Sequence, residues 1–487
     1  MKKVELVCIP MPAMGHITPM VEVAKRLVQQ DERISITILL FKLPIFDISP
    51  YIKTLDADPY FLNKSIKIIE VPELETPSYK TEKAGSGEFQ QILVRSRPTI
   101  KRLVEEHVIR SGSRLAGFVV GLFCSSAMDV ADELGIPSYV LFGSGSSLLS
   151  LIFHFQNLRD NQGINITRWE DQDAEFHVPG FRHAVPYKLL PGRLVQKGAE
   201  VLMDQSKRYR DAKGIIVNTF EELESYVVHT LSEDPMIPKI YPVGPIVHVN
   251  AQINEGKEAQ KDEIIRWLDD QPPASVVFLC FGSMGGFLQD QVTEIAKGLE
   301  QSGHRFLWSL RQPPSLAGGG KPEPPRDYGD LESVLPEGFL ERMANRGKII
   351  GWAPQVAILS HPAVGGFVSH CGWNSTLESL WFGVPVATWP LYAEQQINAF
   401  QLVKEQGIAV EIRMDFMWDQ LKGKSNVLVE ANVIEKGVRE LMNKENGVRS
   451  KAKKVSEAGR KATEEGGSSY TSLGRFIEDV FKNNEKS

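Results

Sequence analysis

Short apolar runs alternate with amphipathic stretches along this chain, the pattern of parallel sheets covered by helices. Val4–Ile9 reads as a buried strand. Residues 18–29 then carry Met20, Val21, Val23, Ala24, Leu27 and Val28 at helical spacing. Ile34–Leu40, residues 117–123, Ser138–Phe142 and residues 214–218 are predicted as further strands, with a helix over 127–134. The segment YPVGP at 241–245 is rich in turn residues, and 249–262 is polar and aperiodic, as expected of an interdomain linker. The alternation then restarts. Strands are predicted at 275–281, 305–310, 348–350, 365–369 and 385–389, and helices at 291–301 and 375–382. Residues 312–329 read as a Pro/Gly loop, and 432–481 as helices with charged outer faces.

A length of 487 residues makes two large domains the natural division of this pattern. With 42% hydrophobic and 24% charged residues, the composition is that of a globular chain with full cores, not of a disordered, collagenous or coiled-coil one. The net charge of −6 argues against a nucleic-acid surface and against a polybasic membrane patch. Cys8, Cys124, Cys280 and Cys371 form no CxxC pair, so neither a zinc site nor a disulfide framework is expected. That usage fits a reducing compartment. The first apolar run spans only about six residues, too short for a secretory core. Residues 136–155 are apolar but contain Pro137 and a Gly-Ser cluster, and read as strand, loop and helix start, not as a membrane span. A cytoplasmic location is expected.

Parallel sheets bind ligands at the C-terminal ends of their strands, and three such segments carry candidate chemistry. Gly15-His16 follows the first strand, and a histidine there is either a general base facing a cleft or a capping and packing residue. FGSMGG at 281–286 is a glycine turn without the dinucleotide spacing or the Walker lysine, so it either cradles a phosphate or simply turns the chain. SHCGWNSTLE at 369–378 leads from a strand through a polar turn into a helix capped by Asn374 or Ser375. The free N–H groups and dipole of that helix make an anion site, to which His370 adds a donor. Cys371 is not read as a nucleophile, because adjacent strand residues face opposite ways.

The segment from Trp352 to Gln395, WAPQVAILSHPAVGGFVSHCGWNSTLESLWFGVPVATWPLYAEQ, closely resembles the 44-residue signature of plant secondary-product UDP-sugar glycosyltransferases, the family-1 enzymes. The resemblance extends to Gly15-His16, GIIVNTFEELE at 214–224, VVFLCFGSMG at 276–285 and EGGSS at 465–469. It implies an α/β GT-B fold, two Rossmann-like domains facing each other across a cleft. An acceptor-binding domain is expected over 1–245, a linker over 246–262 and a UDP-sugar domain over 263–460. A last helix in 461–487 would return to the first domain.

The resemblance also implies roles. Trp352 would stack on uracil and Ala353 would offer backbone groups to its edge, while Gln355 and Glu378 hold the ribose. Ser283, His370, Asn374 and Ser375 would hold the pyrophosphate. Glu394 and Gln395 would bond the sugar hydroxyls, Trp373 resembles the residue of glucose-using members, and Ser144 would touch the sugar from the other side. His16 would take a proton from the acceptor, which attacks the anomeric carbon opposite UDP and leaves a β-glucoside. No metal or other cofactor is implied beyond UDP-glucose as co-substrate. A monomer is expected, with a phenolic, flavonoid, hydroxy-terpenoid or hormone-like acceptor and no nucleic-acid partner. Gly121, Leu122, Phe123 and Leu148 are the candidate acceptor-pocket residues.

One position departs from the family. An aspartate orients the histidine there, and in GFVVGLFCSSAMDV (117–130) that position is Gly121. Three readings follow: an acidic acceptor that needs little base, a substitute carboxylate such as Asp129, or a catalytically weak UDP-sugar-binding protein. An oxidoreductase or epimerase on a similar scaffold is disfavoured by the missing GxGxxG and by the 352–395 segment.

Overall fold

The computed structural model describes residues 3–43, 48–72, 86–169, 171, 173–195, 199–249, 257–313, 316–317, 321–322, 325–419, 424–425 and 427–485. The first half builds β1 (Val4–Ile9), α1 (Met14–Gln30), β2 (Ile34–Leu40), β3 (Ile66–Glu70), β4 (Arg114–Gly121), β5 (Ser138–Phe142), α2 (Ser146–Gln162), β6 (Ile215–Val217), α3 (Glu221–Glu233) and β7 (Ile240–Pro242). Its seven strands are ordered β3-β2-β1-β4-β5-β6-β7, and every pairing between them is parallel. The second half contributes α4 (Glu258–Asp269), β8 (Val276–Cys280), α5 (Gln289–Ser302), β9 (Arg305–Ser309), β10 (Gly347–Ile350), α6 (Gln355–Leu359), β11 (Val364–Ser369), α7 (Trp373–Trp381), β12 (Val386–Thr388), α8 (Gln395–Phe400), β13 (Ala409–Glu411), α9 (Ala431–Met442), α10 (Val448–Thr463) and α11 (Ser468–Glu485). Its six strands run β10-β9-β8-β11-β12-β13, again all parallel.

The strand orders say where ligands belong. In the first sheet the order reverses between β1 and β4, and in the second between β8 and β11. A crevice opens at the C-terminal ends of strands where the order reverses. Four segments emerge there: Gly15-His16, FGSMGG and SHCGWNS, the three stretches singled out by chemistry, and Gly121–Phe123, singled out by the family resemblance.

Burial explains the strands. β1, β5, β8 and β11 are buried at every residue, as strands covered on both faces must be. α11 packs back on the first sheet through Phe476, whose ring lies 4.9 Å from Tyr139 and 5.3 Å from Tyr241. Asn484 Nδ2 donates to the Ala116 carbonyl at 2.8 Å in the same contact.

Three local expectations need correction. β4 ends at Gly121, not Phe123, because Cys124 N–H turns back to the Gly121 carbonyl at 2.8 Å. The apolar Leu122 and Phe123 line that turn instead of extending the strand. The expected linker is shortened by α4, whose polar start at Glu258 hides an amphipathic helix anchored by Ile264 and Leu268; residues 250–256 lie outside the described residues. Finally, α7 begins at Trp373, with Gly372 as its N-cap and no side-chain cap. Asn374 and Ser375 are therefore inside the first turn and do not close it. Residues 314–315, 318–320 and 323–324 of the Pro/Gly loop, and residues 73–85, also lie outside the described residues.

Candidate active site

The two crevices face each other. Asn374 Nδ2, in the first turn of α7, donates to the Gly15 carbonyl at 3.2 Å. This contact spans the two sheets and brings the histidine turn against the open N-terminus of α7. His16 sits in the first turn of α1, its N–H bonded to the Ala13 carbonyl at 2.8 Å. Its ring meets the edge of Phe123 at 5.5 Å and 81°. Phe123 is thus the wall that sets the imidazole, and Gly121 lies two residues before it.

The residues expected to hold the nucleotide form a connected ledge. Gln355 Nε2 donates to Glu378 Oε2 at 2.6 Å and to Ser375 Oγ at 2.8 Å. Trp352 is half-buried at the end of β10, with Lys257 Nζ 4.3 Å from its ring centroid, and Ala353 packs partly against the core. Ser283 is exposed, and its carbonyl accepts from Arg311 at 3.2 Å. Gln395 is buried and its Oε1 accepts from Leu391 and Tyr392 N–H at 2.8 and 3.0 Å, which fixes the turn that presents Glu394.

His370 is buried beneath two glycine turns. A Cβ at Gly282, where φ is +78°, would fall 2.5 Å from its Nε2, and one at Gly372 would fall 2.6 Å away. Close approach therefore requires glycine at both positions, and at Gly282 the left-handed backbone angle requires it as well. Burial pushes the His370 imidazole down to about 4, against the raising pull of a backbone hydrogen bond with Cys280, so it is neutral at pH 7. A neutral imidazole can give an anion a hydrogen bond but no positive charge. Attraction for an anion comes instead from the uncapped α7 N-terminus.

Burial raises Glu378 to about 7, against the lowering pull of Gln355. Its folded pKa lies above the unfolded value of 4.5, so the stabilising effect of holding the proton is complete below pH 4.5 and is lost as pH rises through 7. If Glu378 holds a ribose hydroxyl, as the family resemblance implies, that hydroxyl donates best to the ionised form. UDP-glucose affinity is therefore expected to fall, by at most about tenfold per unit, as pH drops below 7. Titration calorimetry between pH 5.5 and 8.5 checks this. Glu378→Gln should bind more weakly with a flat profile, and an equal slope in both proteins refutes the assignment.

Cys371 is buried and left-handed at φ +61°, and burial pushes its thiol up to about 12. Burial thus argues against a nucleophile here, and not strand alternation, because the strand ends at Ser369 before His370 and Cys371. Asp129 is engaged by Arg97 and, at 3.0 Å, by Arg208, which removes it as a substitute partner for His16. Leu122 and Leu148 are buried core residues, and the Leu122 carbonyl accepts from Tyr209. Ser144 is buried with its Oγ unpartnered. Trp373 is buried between the halves, its Nε1 donating to the Asn218 carbonyl at 2.6 Å. Among the described residues no group of three or more His, Cys, Asp or Glu is placed to hold a metal ion. No described helix is long and apolar enough to cross a membrane.

Sequence reasoning missed Glu224. It is buried on the same face of α3 as Leu223, Val227, Val228 and Leu231. A carboxylate on an apolar stripe was the available signal.

Comparison with known proteins matches this geometry. Residues 229–443 match the family described as UDP-glucoronosyl and UDP-glucosyl transferase. A UDP-glucose flavonoid 3-O-glucosyltransferase 6 of Fragaria ananassa is 48% identical over 492 residues, covering 99% of each chain. The crystal structure of a UGT from Siraitia grosvenorii in complex with UDP superposes with a TM-score of 0.87 at 45% identity, covering 98% of this chain and 100% of that one. Medicago truncatula UGT71G1 complexed with UDP-glucose gives a TM-score of 0.85 at 40% identity, with 98% of each chain covered. Two parallel Rossmann-like sheets meeting at their switch points thus make a GT-B glycosyltransferase. More narrowly, the chain belongs to the plant family-1 UDP-glycosyltransferases.

Proposed function

We propose that the protein transfers glucose from UDP-glucose to a hydroxyl or carboxylate of a small lipophilic acceptor, with inversion, to give a β-glucoside. The observation that carries this reading is the Asn374–Gly15 contact, which sets a candidate base beside an anion-ready helix end. The reading is supported by the Fragaria relative, named a UDP-glucose flavonoid 3-O-glucosyltransferase, and by the Medicago structure, which is complexed with UDP-glucose. In this reading His16 takes the acceptor proton as the oxygen attacks, and the departing diphosphate is met by α7 N–H groups and His370. Trp352, Gln355 and Glu378 hold the uridine, Glu394 and Gln395 the sugar, and the acceptor lies toward Phe123 and Leu122.

The test is UDP release from UDP-glucose across phenols, carboxylic acids and terpenoid alcohols, with products identified by mass. Glucosides of any class support transfer. If acidic acceptors react and alcohols do not, Gly121 is a tuned feature of the site. UDP-glucose binding without any product would favour the weak-binding reading. We further propose a metal-independent monomer of the cytosol, a location supported by four free, buried thiols. Activity should survive exhaustive chelation; loss restored by a divalent ion would refute metal independence.

A further inference from the structure

The buried carboxylate of Glu224 has no part in the chemistry above, yet it joins three pieces of the interface between the halves. Its Oε2 accepts from Ser146 N–H at 2.7 Å, and its Oε1 accepts from Ser147 N–H at 2.9 Å and Ser147 Oγ at 2.6 Å. The 17-residue helix α2 is thus capped by an internal anion from a distant segment. The chain is bent to deliver it, since Glu224 departs from helical angles (φ −126°, ψ 35°) inside α3.

What the carboxylate holds is the Gly145 corner. A Cβ on Gly145 would fall 2.8 Å from the Trp373 ring and 3.0 Å from Glu224 Oε2. The indole therefore rests directly on the Gly145 backbone, with its Nε1 on the Asn218 carbonyl. Asn218 Oδ1 in turn accepts from Ile246 N–H at 2.9 Å. Trp373 is the first residue of α7, and Asn374 beside it touches the histidine turn. Ser144, preceding the corner, keeps a buried and unpartnered hydroxyl.

We propose that Glu224 is a positioning residue for glucosyl transfer: by clamping the α2 N-terminus it seats the Gly145 corner under Trp373 and so fixes the approach of His16 to the donor. The inference rests on the transfer reading above. It concerns alignment of the two halves, not uridine binding, because none of its contacts is to the Trp352–Gln355–Glu378 ledge.

Glu224→Gln tests it. Whichever way the amide turns, one of the two faces presents N–H to N–H, and the corner must shift. With UDP affinity kept within about twofold, kcat for transfer should fall about ten- to a hundredfold, the scale of a small misalignment. The share of UDP-glucose lost to water instead of acceptor should rise. Unchanged kcat and partition overturn the proposal. So does a parallel loss of UDP affinity, kcat and thermal stability, which marks a purely structural residue. If Glu224→Gln does not fold, Ser147→Ala decides: it removes one of three bonds and should lower kcat about two- to fivefold with the same split, and wild-type partition there refutes the clamp. Failure of the wild-type protein to bind UDP would instead remove the transfer reading itself.

Discussion

His16→Ala is expected to lower kcat for phenolic acceptors by about a hundred- to ten-thousandfold, the span of general-base catalysis. UDP affinity should stay within about twofold, because the nucleotide ledge lies wholly in the second half of the chain. The structural reason is placement. His16 stands in the first turn after β1, at the reversal point of the first sheet. Its ring is braced by Phe123, and its turn is pinned to α7 through the Gly15 carbonyl. A carboxylic acceptor gives the internal control. It is already ionised at neutral pH and needs no base, so the same substitution should cost it less than about tenfold. Steady-state kinetics with one phenol and one carboxylic acid measure both values. Equal losses on the two acceptors would make His16 a structural residue, and no loss on the phenol would remove it from the mechanism.

Much of the fold that frames this candidate site is legible in the sequence. Strand periodicity located β1, β5, β8 and β11 to within a residue or two, because fully buried parallel strands are continuous apolar runs bounded by turns. The Gly-containing turns marked the switch points for the same reason. Failures came where a side chain serves something distant. Leu122 and Phe123 read as strand because they are apolar, yet they line a turn beside the histidine. Asn374 and Ser375 read as caps because their types favour caps, yet Gly372 holds that position and leaves the helix end open. The contact of the buried Trp373 ring with Asn218 of the other half has no signal in the local sequence. Glu224 gave only the faint signal of a charge among apolar neighbours, since its partners lie more than seventy residues away. Local sequence encodes elements; contacts between the halves are set by tertiary packing that no window of residues contains.

Restoring the missing carboxylate should raise activity. Gly121 ends β4, one residue past the Val120 that pairs with Ile9, so it lies beside the Pro10–Met11 segment leading to His16. A Cβ there would sit 3.4 Å from the Ile9 carbonyl oxygen and 3.4 Å from Pro10 Cα, at the edge of ordinary contact. The backbone is not in the left-handed region, so a side chain costs no conformational strain. An aspartate can therefore be carried without rebuilding the strand. Its charge would stabilise the imidazolium that forms as the acceptor loses its proton, and would fix the ring tautomer. A gain of about 1.4 to 2.7 kcal/mol in that state corresponds to ten- to a hundredfold in kcat/KM for neutral phenols near pH 7. The kinetic pKa of the base should rise by about one unit at the same time. Carboxylic acceptors, which bypass the base, should gain little or lose through repulsion by the new charge. The double variant Gly121→Asp with His16→Ala should show no gain at all, which ties the effect to the pair and not to altered acceptor packing. A Gly121→Asp enzyme that folds, binds UDP-glucose and gains nothing on any neutral phenol would mean that His16 already works in a complete environment. The glycine would then be there to make room for the acceptor, and Gly121→Ala should lower kcat/KM for bulky acceptors more than for small ones.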